Sequence, residues 1–202
     1  MTSLMCIVAA YLVGAIPTSY LAGKLGRGID LREHGSRNLG ATNVYRVLGW
    51  KYAIPVGLVD MAKGALPVAL LPRWAHGASW LPVVVGTAAV LGHMFSPYVR
   101  FRGGKGVATA AGMFLALAPV AIAVSVAVWA GVLWFSGYVS VSSLIAALLF
   151  PIWTRLTVPD APYTFWASVA LAALIVFSHR GNIRRLVAGT ENRFRTRKRG
   201  LA

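Results

Sequence analysis

Apolar runs alternate with short polar, cationic segments along the whole chain. Residues 4–25, 52–72, 80–98, 139–155 and 162–178 are each long enough to cross a ~30 Å hydrocarbon core as a helix. Gly14 and Pro17 bend the first run locally. Between the first two lies a polar, glycine-bearing stretch, 26–51, and 73–79 forms a short loop. The run 106–135 is too long for one span and carries Pro119 in its interior.

Charge decides how that run is divided. Lys24, Arg27, Arg32, Arg37, Arg46 and Lys51 surround the first polar stretch, which places it in the cytoplasm and the N-terminus outside. The turn at Lys105 and the tail after His179 are also cationic, so an even number of spans separates them. Residues 139–155 and 162–178 supply two, so 106–135 is a hairpin turning near Pro119. Its first arm is about 13 residues, or ~20 Å at 1.5 Å per residue, too short to cross at full thickness. The chain is therefore expected to be an all-α polytopic membrane protein of seven transmembrane helices. Its N-terminus is outside, its C-terminus is cytoplasmic, and one short recessed helix starts near Gly106. All of the 20 Lys and Arg then lie on the cytoplasmic side except Arg73 and Arg155, outside, and Lys63, within a span.

Composition agrees. Of 202 residues, 57% are hydrophobic and only 12% charged, about half the charged share of soluble domains, and the mean hydropathy is +0.67. No basic region precedes the first run, so it is expected to be retained as a span. Residues 1–192 form one membrane domain, and 193–202 form a basic, disordered cytoplasmic tail near anionic headgroups. The net charge of +15 is spread over juxtamembrane positions, which argues against nucleic acid. Asp30, Glu33, Asp60, Asp160 and Glu191 are the only carboxylates, and His34, His76, His93 and His179 the only histidines. Neither set has metal-ligand spacing, so no metal is expected. Cys6 is alone and serves packing.

Three polar clusters fall on one side of the membrane. The first runs from Gly35 to Arg46, with Ser36, Asn38, Thr42 and Asn43 as hydrogen-bonding groups. The second is the glycine turn at Gly103, Gly104, Lys105 and Gly106, followed by Thr109. It precedes a helix N-terminus and so suits a phosphate. It is not a nucleotide P-loop, because Val99 stands at the first glycine position and Gly106 replaces the Ser/Thr. The third runs from His179 to Glu191, and its spacing puts His179 and Asn182 on one helix face. Asp60 and Lys63 lie within a span, three apart, where they can neutralise each other or meet substrate. Duller readings exist for several residues. Asn38 or Asn43 could cap a helix, Ser36 could stabilise a turn, and His93 reads as a structural histidine.

These clusters, in this order, resemble the bacterial membrane glycerol-3-phosphate acyltransferases that use acyl phosphate, the PlsY family. Gly35 to Arg46 matches G-S-x-N-x-G-A-T-N-x-x-R, Gly92-His93 with Arg102 to Thr109 matches the second motif, and His179 to Glu191 the third. Asp60, Lys63 and Gly64 match D-x-x-K-G. Arg37, Ala15, Ser178 and Gly181 depart from residues common in the family: glycine, serine, arginine and a charged residue. The resemblance implies transfer of an acyl group from acyl phosphate to the sn-1 hydroxyl of glycerol 3-phosphate. The products are lysophosphatidate and inorganic phosphate, in the first acylation of phospholipid synthesis. It implies no cofactor, a bacterial inner-membrane location with the site at the cytoplasmic face, and membrane lipids as surroundings; a monomer is compatible with it, and the oligomeric state is left open.

Lys105 and the 103–106 backbone are expected to hold one phosphate, and Arg46 with Ser36 and Asn43 the other, with Gly35, Asn38, Thr42 and Thr109 lining the site. His179 and Asn182 complete the contacts, and the two pockets are interchangeable on the sequence. No H-x-x-x-x-D pair exists, since Leu39, Leu81, Tyr98 and Arg184 stand five after the histidines. The phosphate of glycerol 3-phosphate is then the expected base, with His179 as its competitor. The rival class is a transporter or flippase for a phosphate-bearing solute, which spans containing glycine, proline and paired charges also suit.

Overall fold

The computed structural model describes residues 2–75 and 78–194. Within them every regular element is helical. The first apolar run breaks at Ile16–Pro17 into α1 (Ser3–Ala15) and α2 (Thr18–Arg27). Proline has no amide hydrogen to continue the ladder. The polar stretch 26–51 is not all loop: it contains α3 (Ala41–Leu48), which buries Asn43, Val44 and Leu48 and leaves Tyr45 exposed. Neither Asn38 nor Asn43 caps it; Gly40 occupies the N-cap.

Next come α4 (Trp50–Leu70), α5 (Leu81–Met94), α6 (Val107–Leu117), α7 (Pro119–Ser136), α8 (Val139–Thr157), α9 (Pro162–Ser178) and α10 (Arg180–Val187). The hairpin turns at Ala118, with Pro119 opening α7, where its missing N–H is no loss. The α6 arm has 11 residues, ~16 Å of helix. Among the described residues five helices or helix pairs are long and apolar enough to cross a membrane, six if α9 and α10, bent by 54°, count as one; α6 is a shorter apolar helix.

Packing follows small residues. Where α4 meets α6, a β-carbon on Gly64 would overlap the Thr109 carbonyl, and one on Gly112 would overlap that of Met61. α1 and α5 approach in the same way through Gly14 and Gly92. Such glycines let backbones touch in lipid, where hydrophobic attraction between helices is weak. α7 packs on α8 and α8 on α9, and the buried residues Met113, Phe114, Phe150, Leu171 and Ile175 join the two groups. Large apolar side chains such as Leu4, Leu58, Val120, Phe135 and Trp166 remain exposed, as a hydrocarbon-facing surface requires. Cys6 is buried against α5.

Candidate active site

A cavity of about 580 Å³ lies between α3, α4 and α6 on one side and α7, α8 and α9 on the other. Its polar end is built from all three motif segments: Ser36, Asn38, Thr42, Asn43 and Arg46; Lys105 and Gly106; His179, Asn182 and Glu191. The rest of the lining is mostly apolar, with Met61, Phe114, Ile122, Phe150, Leu171 and Ile175, and also includes Asp60, His93, Ser125, Ser143 and Ser168.

The first segment is folded by Asn43. Its Oδ1 accepts the Ser36 N–H at 2.7 Å, and its Nδ2 donates to the carbonyls of Leu31 (3.2 Å) and His34 (3.1 Å). Both amide hydrogens are thereby used, so Asn43 holds the loop that presents Ser36. Gly35 has φ +61° and lies outside the cavity. A side chain there would collide with Asn43 Oδ1, which explains the glycine. Arg37 also adopts the left-handed conformation, φ +61°, which glycine takes at less cost.

The glycine turn differs from expectation. Gly103 donates its N–H to Met94 (3.1 Å) and Gly104 to His93 (3.1 Å), satisfying the last carbonyls of α5. These two amides are therefore spent on the scaffold, and both glycines line a separate small cavity with Thr18, Lys63 and His93. Gly106, φ +83°, Val107 and Ala108 do line the main cavity. They aim the start of α6, whose first amides have no partner within the helix, into it. Thr109 is also displaced from its expected role: it is fully buried at the α4 contact and does not line the cavity.

At the third segment α9 ends at Ser178, whose Oγ donates to the Ile175 carbonyl at 2.8 Å. His179, 3% exposed, faces the same carbonyl with Nδ1 at 2.8 Å. A carbonyl only accepts, so Nδ1 carries the proton and Nε2 is the basic nitrogen. Asn182 joins the motifs: its Oδ1 accepts from Lys105 Nζ, and its Nδ2 donates to Glu191 Oε1 at 2.6 Å. Glu191 also accepts from Ser140 (2.9 Å) and Arg185 (2.7 Å). The chain beyond it packs against α3 and the turn between α7 and α8. Phe194 stacks on Tyr45 with ring centroids 4.8 Å apart and donates its N–H to Gly137 (2.7 Å). Arg193 binds the Tyr138 hydroxyl (3.1 Å), and Arg46 reaches the Asn192 carbonyl (3.4 Å). Arg193 and Phe194, the first two residues of the expected tail, are thus packed; the rest of it, and His76, lie outside the described residues.

Cations outnumber the one carboxylate here. Burial pulls Lys105 down to about 8; Glu191 opposes this, and Arg185 and Arg46 add to it. Burial lowers Arg46 also, yet a guanidinium remains charged throughout the accessible pH range. Burial would raise Glu191, but hydrogen bonds from Asn182, Arg185 and Ser140 hold it below the usual carboxylate range. An excess of positive charge beside a mostly apolar cavity suits an anion. Among the described residues no group of His, Cys, Asp and Glu is placed to hold a metal.

Asp60 and Lys63 form the anticipated pair, 2.8 Å apart. Asp60 lines the main cavity and Lys63 only the small one. His93 is the residue whose placement the sequence did not disclose. It lines both cavities, its Nδ1 3.6 Å from Asp60 Oδ1. The signal available was its position in the second motif.

A family model described as glycerol-3-phosphate acyltransferase matches residues 4–189. The glycerol-3-phosphate acyltransferase of Fusobacterium nucleatum is 43% identical over 94% of this chain and 96% of its own. That of Trichlorobacter lovleyi is 45% identical over 95% and 97%. Two crystal structures of PlsY, an integral membrane glycerol 3-phosphate acyltransferase, superpose with this chain. The glycerol 3-phosphate form gives a TM-score of 0.90 at 38% identity, and the lysophosphatidic acid form 0.87 at 37%. Each covers 96% of both chains.

Proposed function

The chain belongs to the glycerol-3-phosphate acyltransferase family, and from that premise we propose that it transfers the acyl group of an acyl phosphate to the sn-1 hydroxyl of glycerol 3-phosphate. The products are 1-acylglycerol 3-phosphate and inorganic phosphate. The observation that carries this reading is one cavity that joins Arg46 and Lys105 to a mostly apolar remainder. Two phosphates and one acyl chain are what that surface suits. Membership of an enzyme family removes the carrier alternative.

In the proposed reaction the hydroxyl oxygen bonds to the acyl carbonyl carbon, and the bond from that carbon to the phosphate oxygen breaks. Phosphate leaves with the electron pair. An acyl phosphate is already activated, so positioning and charge neutralisation are the enzyme's main tasks. Lys105 and the first amides of α6 neutralise one phosphate, and Arg46 with Ser36, Asn38 and Thr42 binds the other. Asn182 orients Lys105, and His179 borders both. The hydroxyl proton passes to the phosphate of glycerol 3-phosphate itself, whose second ionisation is near neutrality.

The topology proposed is seven spans, with α6 recessed, the N-terminus outside and the C-terminus in the cytoplasm. Residues 1–192 act as one domain in the bacterial inner membrane, the site opens to the cytoplasmic face, and residues 193–202 form the basic tail.

The test offers detergent-purified enzyme radiolabelled glycerol 3-phosphate with palmitoyl phosphate, palmitoyl-CoA or palmitoyl-acyl carrier protein. Lysophosphatidate formed from palmitoyl phosphate alone, with one phosphate released per ester and the ester at sn-1 by NMR, supports the proposal. Turnover only with the thioesters overturns it.

A further inference from the structure

Four polar side chains from three helices converge in the apolar interior. The Asp60 carboxylate, 1% exposed, sits midway along α4. It accepts from Thr18 Oγ1 of α2, pairs with Lys63 at 2.8 Å, and faces His93 Nδ1 of α5. Lys63, 5% exposed, also donates at 2.9 Å to the Ile16 carbonyl at the break between α1 and α2, which accepts the Thr18 N–H as well, at 3.0 Å. Charges at such depth are costly. A buried ion pair is also weak evidence for stability, since apolar packing of equal volume commonly serves as well. The cluster calls for another role.

Its outlet is His93. The carbonyl of His93 accepts the Gly104 N–H, and that of Met94 the Gly103 N–H. The imidazole fills the space above Gly104 so closely that any β-carbon there would overlap Nε2. Lys105 is the next residue, and its Nζ donates to Asn182.

We propose that His93 is a positioning residue for acyl transfer: anchored by Asp60, which Lys63 holds in turn, it sets the Gly103–Gly104 turn and hence the place of the Lys105 ammonium in the phosphate site. Without the imidazole the turn loses the wall it rests on, and Lys105 loses register with Asn182. A displacement of about 1 Å at a charged positioning group can lower turnover by as much as a hundredfold. Because His93 acts through Lys105, the effects of removing the two are not independent.

The inference rests on the acyltransferase reading, and a double-mutant cycle separates the two. His93→Ala, Lys105→Ala and the double variant are assayed for lysophosphatidate formation beside the wild type, with thermal unfolding in detergent followed for each. The expected result is a ten- to hundredfold fall in kcat/KM for His93→Ala, with little further loss when Lys105 is already alanine. An equal fold-loss in both backgrounds, or unaltered kcat/KM, overturns the positioning role. A wild type that makes no product overturns the acyltransferase reading instead. His93→Gln and Gly104→Ala enter the same cycle and probe the contact from its two sides, so a His93→Ala protein that does not fold leaves the coupling measurable.

Discussion

Lys105 should impose an alkaline limit on catalysis. Burial and neighbouring cations hold its ammonium down to about 8, from an ordinary value of 10.5. The cation is present at neutral pH and is lost as pH rises through about 8. At pH 9 roughly one-tenth of the free enzyme keeps the charge, so kcat/KM for the phosphate bound there falls about tenfold from its plateau. An arriving phosphate dianion restores the proton's hold, so kcat at saturation falls much less. Arginine stays charged to pH 12 and above, so Lys105→Arg should abolish the limb even if its plateau is lower. Lys105→Ala removes a charge-assisted contact worth ~1.5–3 kcal/mol. That corresponds to a plateau roughly 10- to 150-fold lower. The assay is initial rate of lysophosphatidate formation from pH 6 to 10, with spontaneous acyl phosphate hydrolysis subtracted at each point. A Lys105→Arg enzyme with an unchanged alkaline midpoint would refute the assignment.

Four further outcomes follow from the same geometry. Glu191 raises the Lys105 pKa, so Glu191→Gln should move the alkaline limb of kcat/KM to lower pH, and a limb that stays in place contradicts the contact. Lys63→Met leaves the buried Asp60 carboxylate unpaired and should destabilise the protein by about 3–5 kcal/mol; thermal unfolding of the Asp60→Asn/Lys63→Met double variant should recover most of that. Arg37→Gly relieves a left-handed arginine (φ +61°) and should raise stability by about 0.5–1 kcal/mol, net of the greater freedom of glycine in the unfolded chain. His179→Gln should retain measurable turnover if substrate phosphate is the base, whereas abolished turnover with binding of both substrates intact would make His179 the base.

Much of the fold was legible because a bilayer imposes strong rules on sequence. Span length, cationic loops and the proline-marked hairpin follow from hydrocarbon thickness and charge placement. The break at Ala118–Pro119 and the helix beginning after Gly106 appear where those rules put them. The helix α3 was hidden within a polar stretch, because its eight residues, although one face is clearly apolar, are far too short to register against the length rule that marks the spans. Ser36, Arg46, Lys105, His179 and Asn182 could be singled out as candidates by their chemistry, and the structure brings all five to one cavity.

What the sequence alone determined is therefore the class of molecule, the order of its apolar spans and the chemistry of its three polar segments. Only the tertiary structure decided which atoms remain for substrate. Asn43 turns its amide to backbone carbonyls, Gly103 and Gly104 give their N–H groups to the end of α5, and Thr109 sinks into the α4 contact. Each of those groups can serve scaffold or ligand equally well in chemical terms. The choice falls to hydrogen-bond satisfaction among residues distant along the chain, which no local pattern records.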